Sequence, residues 1–434
     1  MKYYETMNKE AVELSKALPE EKSELYKKFF VPLPLESFAK ELKAAGSPEE
    51  EAGQLRAISD EAARNLNIKF DAAIGSATAI IKEGVGSIRV VKVSDLTDSQ
   101  LMGRMYRSSD DRLVAFIHAY TKRLVFIEVP DGQKAELSLL LANTAPMVTQ
   151  IIVNIGSGAE LELLEWYASR TQEASLLGAI HEITVGKHSN AEMNLVHNEG
   201  PATYVVGFAK ADVTEGAKLR MNFVYNGGMS TRVKNVVNAN GYASGSEIVE
   251  MVMGSGEQKF DLNTVIANIG QDTVSDLGSK AALMDSAVCI LKGFAEVQAD
   301  ARGSRSFVNE RGILLDNRAY VSSIPGMSIG NANVKATHSS ATAPVDEDSL
   351  FYLMSRGADV TDARKLLVSG FFSGSIAKMK SAVVKGAVGS LMNEKISGRR
   401  FGGIPMLNTS SMWFDTSQVD PDSLGGHYKY RDLR

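Results

Sequence analysis

A triplet of one small, one charged and one apolar residue recurs between residues 123 and 340, and it restricts the fold more than any other feature of the chain. It stands as Ala135-Glu136-Leu137, Ala159-Glu160-Leu161, Ala191-Glu192-Met193, Ala217-Lys218-Leu219 and Ser246-Glu247-Ile248, at spacings of 24, 32, 26 and 29 residues. Gly158, Gly216 and Gly245 come immediately before three of the triplets, where a turn is expected. Each interval also holds a second β-like run, such as MVTQIIVNI, GAIHEITVG or STRVKNVVNAN, so the repeat contains at least two strands. Helical periodicity is nearly absent. An irregular repeat of this length, all strand and turn, suggests a parallel β-helix, whose coils stack and bury one face of every strand. An antiparallel sandwich is the rival reading.

Helical patterns flank this region. Residues 1 to about 66 are rich in Glu, Lys, Ala and Leu, with amphipathic runs VELSKALPEEKSELYKKFF and PLESFAKELKAAG broken at Pro32 and Pro34. Strand texture begins near residue 70 with GSIRVVKV, and SSDDRLVAFIHAYTK reads as a helix leading into the strands, with His118 a structural histidine on it. From Asp346 the chain turns helical again. Asp346 can cap, Glu347 and Asp348 favour the first turn, and Gly357 is the stop. A second helix sets Ala363, Leu366, Leu367, Gly370 and Phe371 on one face, and a third, roughly SGSIAKMKSAVVKGAVGSLMNEKI, sets Ile376, Met379, Val383 and Ala387 on another. The expected division is 1–122 mainly helical, 123–343 β-helix, 344–396 helical and 397–434 an irregular tail.

Composition excludes several functions. A net charge of −5 from 47 basic and 52 acidic side chains supplies no field for nonspecific nucleic-acid binding. The charged start, with no apolar run of about 18 residues anywhere, predicts a cytoplasmic protein without membrane contact. Cys289 is the only cysteine, so four thiolates for a stable cluster are lacking; flanked by small and apolar residues, it reads as a buried strand residue. His181, His188 and His197 form no metal-ligand spacing and read as solvated strand histidines, although residues one coil apart can stack. NGGMS at 226–230 and GSGE at 254–257 lack a phosphate-loop pattern and are turns, so the chain carries no nucleotide motif. Asp272, Asp276, Asp285 and Asp300 are scattered, as in a β-helix enzyme acting on an acidic polysaccharide, but solvated outward positions also account for them.

The stretch from Lys335 to Phe371 resembles the SufB/SufD scaffold proteins of SUF iron–sulfur cluster assembly. The resemblance rests on His338, Leu350-Phe351-Tyr352-Leu353, Ser355-Arg356-Gly357, Ala363, Leu366-Leu367 and Gly370-Phe371, with twelve residues from the histidine to the Leu-Phe-Tyr run, and extends by pattern over about 110–395. It favours a mostly β fold, a right-handed parallel β-helix core flanked by N-terminal and C-terminal α-helical domains. It implies a non-catalytic scaffold subunit working with a SufC-type ABC ATPase and a sulfur donor, and a transient cluster at a subunit interface, none tightly bound by the lone chain. His338 takes the family's cluster- or iron-handling role; a neutral imidazole there can ligate iron. Departures from SufB are Ser339 after that histidine, where SufB-type members have a glutamate, and Glu310 nearest the place of their cysteine. Glu310 is therefore a weak second candidate and the site residues stand closer to SufD. Pairing as a homodimer or with a SufB/SufD-type paralogue is expected at the C-terminal end of the β-helix. The ATPase is expected on the C-terminal helices, at Phe351, Arg356, Leu367, Phe371 and Phe372, an aromatic centre with a lysine rim. The alternatives are the polysaccharide enzyme and a purely structural β-helix.

Overall fold

A computed structural model describes residues 2–18, 32–44, 72–74, 77–84, 86–92, 105–143, 145–169 and 173–398. The strands are β1 (Ala72–Ile74), β2 (Ala77–Gly84), β3 (Ser87–Lys92), β4 (Arg123–Val129), β5 (Lys134–Asn143), β6 (Met147–Ile155), β7 (Glu160–Ser169), β8 (Ser175–Val185), β9 (Asn190–Asn198), β10 (Thr203–Val213), β11 (Lys218–Tyr225), β12 (Ser230–Ala239), β13 (Gly245–Gly254), β14 (Lys259–Asn268), β15 (Val274–Leu283), β16 (Val288–Val297), β17 (Arg305–Leu314), β18 (Tyr320–Ser323), β19 (Gly326–Ile329) and β20 (Lys335–Pro344). Odd-numbered strands from β5 to β17, then β20, pair in parallel in a first sheet; even-numbered strands from β4 to β18 do so in a second, with β19 also on β16. Each coil therefore gives one strand to each sheet, which is a parallel β-helix and not a sandwich. Antiparallel pairs β2–β5 and β3–β4 close its N-terminal end.

Strand alternation directs one row of side chains inward at every second position. Ala135, Leu161, Ala191, Leu219, Ser246, Ser275, Ser306 and Ala336 stand in one register column across the first sheet. Every second triplet begins two residues ahead of this column, which is why the sequence spacings swing. A slip of two residues keeps each side chain on its own face.

One line of turns returns the chain from the second sheet to the first, and each needs a left-handed residue: Gly158 (φ 66), His188 (φ 58), Gly216 (φ 64), Ala243 (φ 54), Asp272 (φ 55) and Gly303 (φ 78). Their N–H groups donate to the carbonyl of the turn one coil on, as from Gly158 to Lys187 (2.7 Å), His188 to Glu215 (2.8 Å) and Gly216 to Tyr242 (2.9 Å). The turn backbone is thereby satisfied along its length.

Apolar side chains fill three places. The interior is one continuous cluster from Val125 to Val321. Helices α1 (Lys2–Ala17), α2 (Leu35–Ala44) and α3 (Arg112–Tyr120) cover the outside of the second sheet, where Val114, Phe116 and Ile117 meet Val148, Ile180 and Phe208. Asp111 caps α3, its side chain accepting from Leu113 N at 2.8 Å. Within the expected N-terminal helical region the stretch 72–92 holds strands β1–β3, and residues 45–71 and 93–104, like the tail from 399, lie outside the described residues.

Helices α4 (Glu347–Ser355), α5 (Val360–Ala377) and α6 (Ala382–Ile396) follow the β-helix. Asp346 caps α4 through Ser349 N (3.1 Å), and Gly357 takes φ 98 after it, as expected. The third expected helix is corrected: Ile376 belongs to α5, Met379 lies in the connection, and α6 starts only after its cap Ser381, whose side chain accepts from Val384 N. Apolar residues continue through the break because Met379 is itself buried. α5 and α6 lie against the outside of the first sheet, where Val368, Phe372, Val388 and Leu391 meet Leu140, Trp166 and Met251. At the end of α6 the buried Lys395 amine donates to the Asn226 carbonyl and to Gln258 Oε1 (2.6 Å). No helix among the described residues is long and apolar enough to cross a membrane.

Candidate functional site

The last strand of the first sheet, β20, pairs among the described residues on one side only, with β17. In that register Ser306 faces Ala336, Val308 faces His338 and Glu310 faces Ser340. Ser306, Val308 and Glu310 are buried inside the β-helix. His338 and Ser340 therefore continue the inward-facing rows. No described coil covers them, and both are exposed. The imidazole of His338 sits at the mouth of the interior, over the apolar row that ends at Val308.

Glu310, one strand below, is fully buried, and its Cα is about 8 Å from that of His338, from strand spacings of about 4.8 Å across and about 3.3 Å per residue along. Its Oε1 accepts from Gly293 N at 2.5 Å, and a Cβ at position 293 would stand 2.8 Å from that oxygen, so only glycine leaves the carboxyl room. Its Oε2 has no hydrogen-bond partner among the described residues; the nearby Ile324 amide is given to the Leu291 carbonyl (2.8 Å). Burial, with the Glu250 carboxyl two coils further in along the same row adding to it, pushes Glu310 up to about 8, so it is mostly neutral at pH 7. The two expected site residues thus share one end of the β-helix. Among the described residues no three His, Cys, Asp or Glu side chains gather closely enough to hold a metal.

The histidines expected in solvent are corrected. His181 and His197 lie inside the β-helix, where His181 Nε2 meets Glu165 Oε2 at 2.8 Å and His197 Nδ1 meets Glu199 Oε1 at 2.6 Å. The Tyr167 hydroxyl donates to Glu165 Oε2 (2.6 Å), and its ring stacks on His197 at 4.3 Å, with Tyr225 on the other face at 5.2 Å. Burial and the Glu165 charge hold the Tyr167 hydroxyl well above its ordinary range. His188, the third of the set, is instead an exposed turn residue. Cys289 is buried as read from its neighbours, and burial pushes its thiol up, away from the reactive thiolate.

The expected partner surface divides. α4 has no buried residue: Phe351 is 73% exposed, with Tyr352 and Met354 beside it and the Arg356 guanidinium 5.2 Å from the Tyr352 ring centroid. Leu367 is half-buried. Phe372 is corrected, being 0% exposed in the contact between α5 and the first sheet; Phe371 is half-buried against that cluster under Lys280. Both phenylalanines anchor α5 to the sheet, so the exposed apolar surface belongs to α4. Nothing in the sequence separated the two, since both helices carry aromatic residues at similar spacing.

Residues 140–371 match the family model described as SUF system FeS cluster assembly, SufBD core domain. The chain is 22% identical over 314 residues to the iron–sulfur cluster assembly protein SufD of Bacillus subtilis, covering 70% of this chain and 71% of that protein. It is 23% identical over 279 residues to an iron–sulfur cluster assembly SufBD family protein of Staphylococcus saprophyticus, covering 63% and 60%. Over 337 residues it is 23% identical to the chloroplastic protein ABCI7 of Arabidopsis thaliana, covering 71% of each chain. The family model spans more than half of the chain, its β-helix agrees with what the resemblance implied, and the chain belongs to the SufB/SufD family of iron–sulfur cluster assembly proteins.

Proposed function

We propose that this chain is a scaffold subunit in the cytoplasm on which iron–sulfur clusters are built, without catalytic chemistry of its own, and that cluster handling takes place at the open end of the β-helix around His338. The observation that carries the reading is the placement of His338: an inward row position on a strand that, among the described residues, is paired on one side only, exposed where a second subunit could close the end. An unpaired edge ten residues long must be covered or paired in the working assembly. A second copy, or a paralogue bringing the thiolate that this chain lacks, covers it and supplies further ligands. A SufC-type ABC ATPase docks on α4, and a separate sulfur donor feeds the end.

The test is His338→Ala in a reconstituted system with a desulfurase, ferrous iron, the ATPase and the paralogue. Stability should stay within about 1 kcal/mol, because the side chain is exposed. Cluster formation per folded molecule, followed by visible absorbance and by transfer to an apo-ferredoxin, should fall at least tenfold. Undiminished transfer rules out a role at this end.

A further inference from the structure

On the outer face of the first sheet, Lys280 of β15 and Arg311 of β17 are register partners, their backbones about 4.8 Å apart. Like charges side by side on a sheet repel. Among the described residues no carboxylate is paired with either cation. Lys280 donates to the Phe371 carbonyl (2.7 Å) and lies 5.3 Å from the Phe371 ring centroid. Arg311 has no side-chain hydrogen-bond or ion-pair partner among the described residues. The nearby acid Glu247 is held by Arg220 (2.6 Å) and Lys378 (2.7 Å), and Asp276 has an interaction of its own. Burial, then Arg311 and Lys378, push the Lys280 amine down to about 8.

There is space in front of the pair. Gly278, two residues before Lys280 on the same face, has nothing within 4 Å of where a Cβ would stand, and neither does Gly370 of α5. Asn309, the register partner of Gly278, is half-exposed, and its side-chain amide makes no hydrogen bond among the described residues. Above Arg311 the next strand presents only the exposed Ala341. A guanidinium, an ammonium and an amide thus stand on neighbouring outward positions of β15 and β17, beside the uncovered Gly278 and next to α5, which Lys280 reaches at Phe371.

We propose that Lys280, Arg311 and Asn309 bind a small phosphate-type oxyanion over Gly278, between the first sheet and α5. The planar guanidinium fork fits two oxygens, while the ammonium and the amide NH₂ supply donors for the others. The anion screens the two cations from each other. This site lies on the outside of the β-helix and stands whether or not clusters are built at its open end.

Inorganic phosphate and ADP are titrated in parallel into the full-length chain by calorimetry, with the melting temperature read at each concentration. Saturable binding near 1 mM is expected, the affinity of a shallow site with a few charge-assisted contacts. Tighter binding of ADP identifies a nucleotide phosphate as the source, equal or weaker binding the free anion, and either outcome supports the site. Arg311→Gln should weaken binding at least tenfold. Because it relieves the repulsion, it should melt no lower than the wild type without phosphate and lose the wild type's gain in melting temperature with it. Lys280→Met keeps the stem on the Phe371 ring and should weaken binding similarly, while Lys187→Met on the exposed turn line changes nothing. The site is overturned if neither probe saturates by about 20 mM, or if Arg311→Gln binds as the wild type does.

Discussion

A carboxyl sealed inside a β-helix makes the whole protein sensitive to pH, and Glu310 is such a carboxyl. Its proton is held in the fold up to about 8 but is lost by the unfolded chain near the ordinary 4.5. Between these values the folded form binds more protons, so stability falls as pH rises through that window. From pH 6 to pH 8 the loss from this one group is about 2 kcal/mol. Glu310→Gln keeps an oxygen for the Gly293 N–H and removes the titration. Urea melts at the two pH values should therefore show a smaller drop for the variant, by about that amount; equal drops would mean that the carboxyl already carries its charge. The sequence showed Glu310 only by position, three residues before an apolar run, and its burial followed from the register. The interior His181 and His197 were misread for the same reason. A polar residue in an alternating strand reads as outward-facing, and the acids that receive these imidazoles, Glu165 and Glu199, do so only after the coils stack.

At the scale of elements, the turn line carries a cost that sequence composition partly revealed. Gly158 and Gly216 were readable as turn residues, whereas His188, Ala243 and Asp272 take the same left-handed conformation without being glycine. Gly216 also lies under the His188 ring: a Cβ there would come 2.3 Å from Nδ1. Gly216→Ala should cost about 1–2 kcal/mol of backbone strain plus a steric share from that ring. In a His188→Gly background the steric share disappears and the strain remains, so the double-mutant cycle should give a coupling of at least about 0.5 kcal/mol. Additive losses in denaturant melts would mean that the ring swings away freely. The strands themselves were legible, both runs of each coil, because alternation is local. Their exact register was not, since the triplets slip by two residues without changing face. The break between α5 and α6 was missed because buried Met379 continues the apolar pattern through the connection, although the Ser381 cap could have marked it.

For the whole molecule, the decisive arrangement is that each helical group covers a different outer face of the β-helix. The three C-terminal helices are no detachable unit, because α5 and α6 cover Leu140, Trp166 and Met251, all buried. Uncovering three such side chains forfeits roughly 1.5–3 kcal/mol each, which approaches the entire net stability of an ordinary domain. Truncation at Pro344 would therefore destroy the fold and say nothing about docking. α4 can be altered separately, since it buries nothing and presents Phe351, Tyr352 and Met354 to solvent. Apolar side chains gathered on one short helix match the anchor residues that dominate protein interfaces. Phe351→Ala combined with Tyr352→Ala should leave the melting profile within about 1 kcal/mol of the wild type. The same pair should weaken binding of the ABC ATPase by about 2 kcal/mol or more, near thirtyfold, in a surface-immobilised titration. Phe372→Ala should do the reverse, costing about 3–5 kcal/mol of stability through the cavity it leaves under α5 while sparing α4. Full ATPase affinity in the α4 variant would move the docking surface elsewhere, and loss of affinity only in the Phe372 variant would place it on α5.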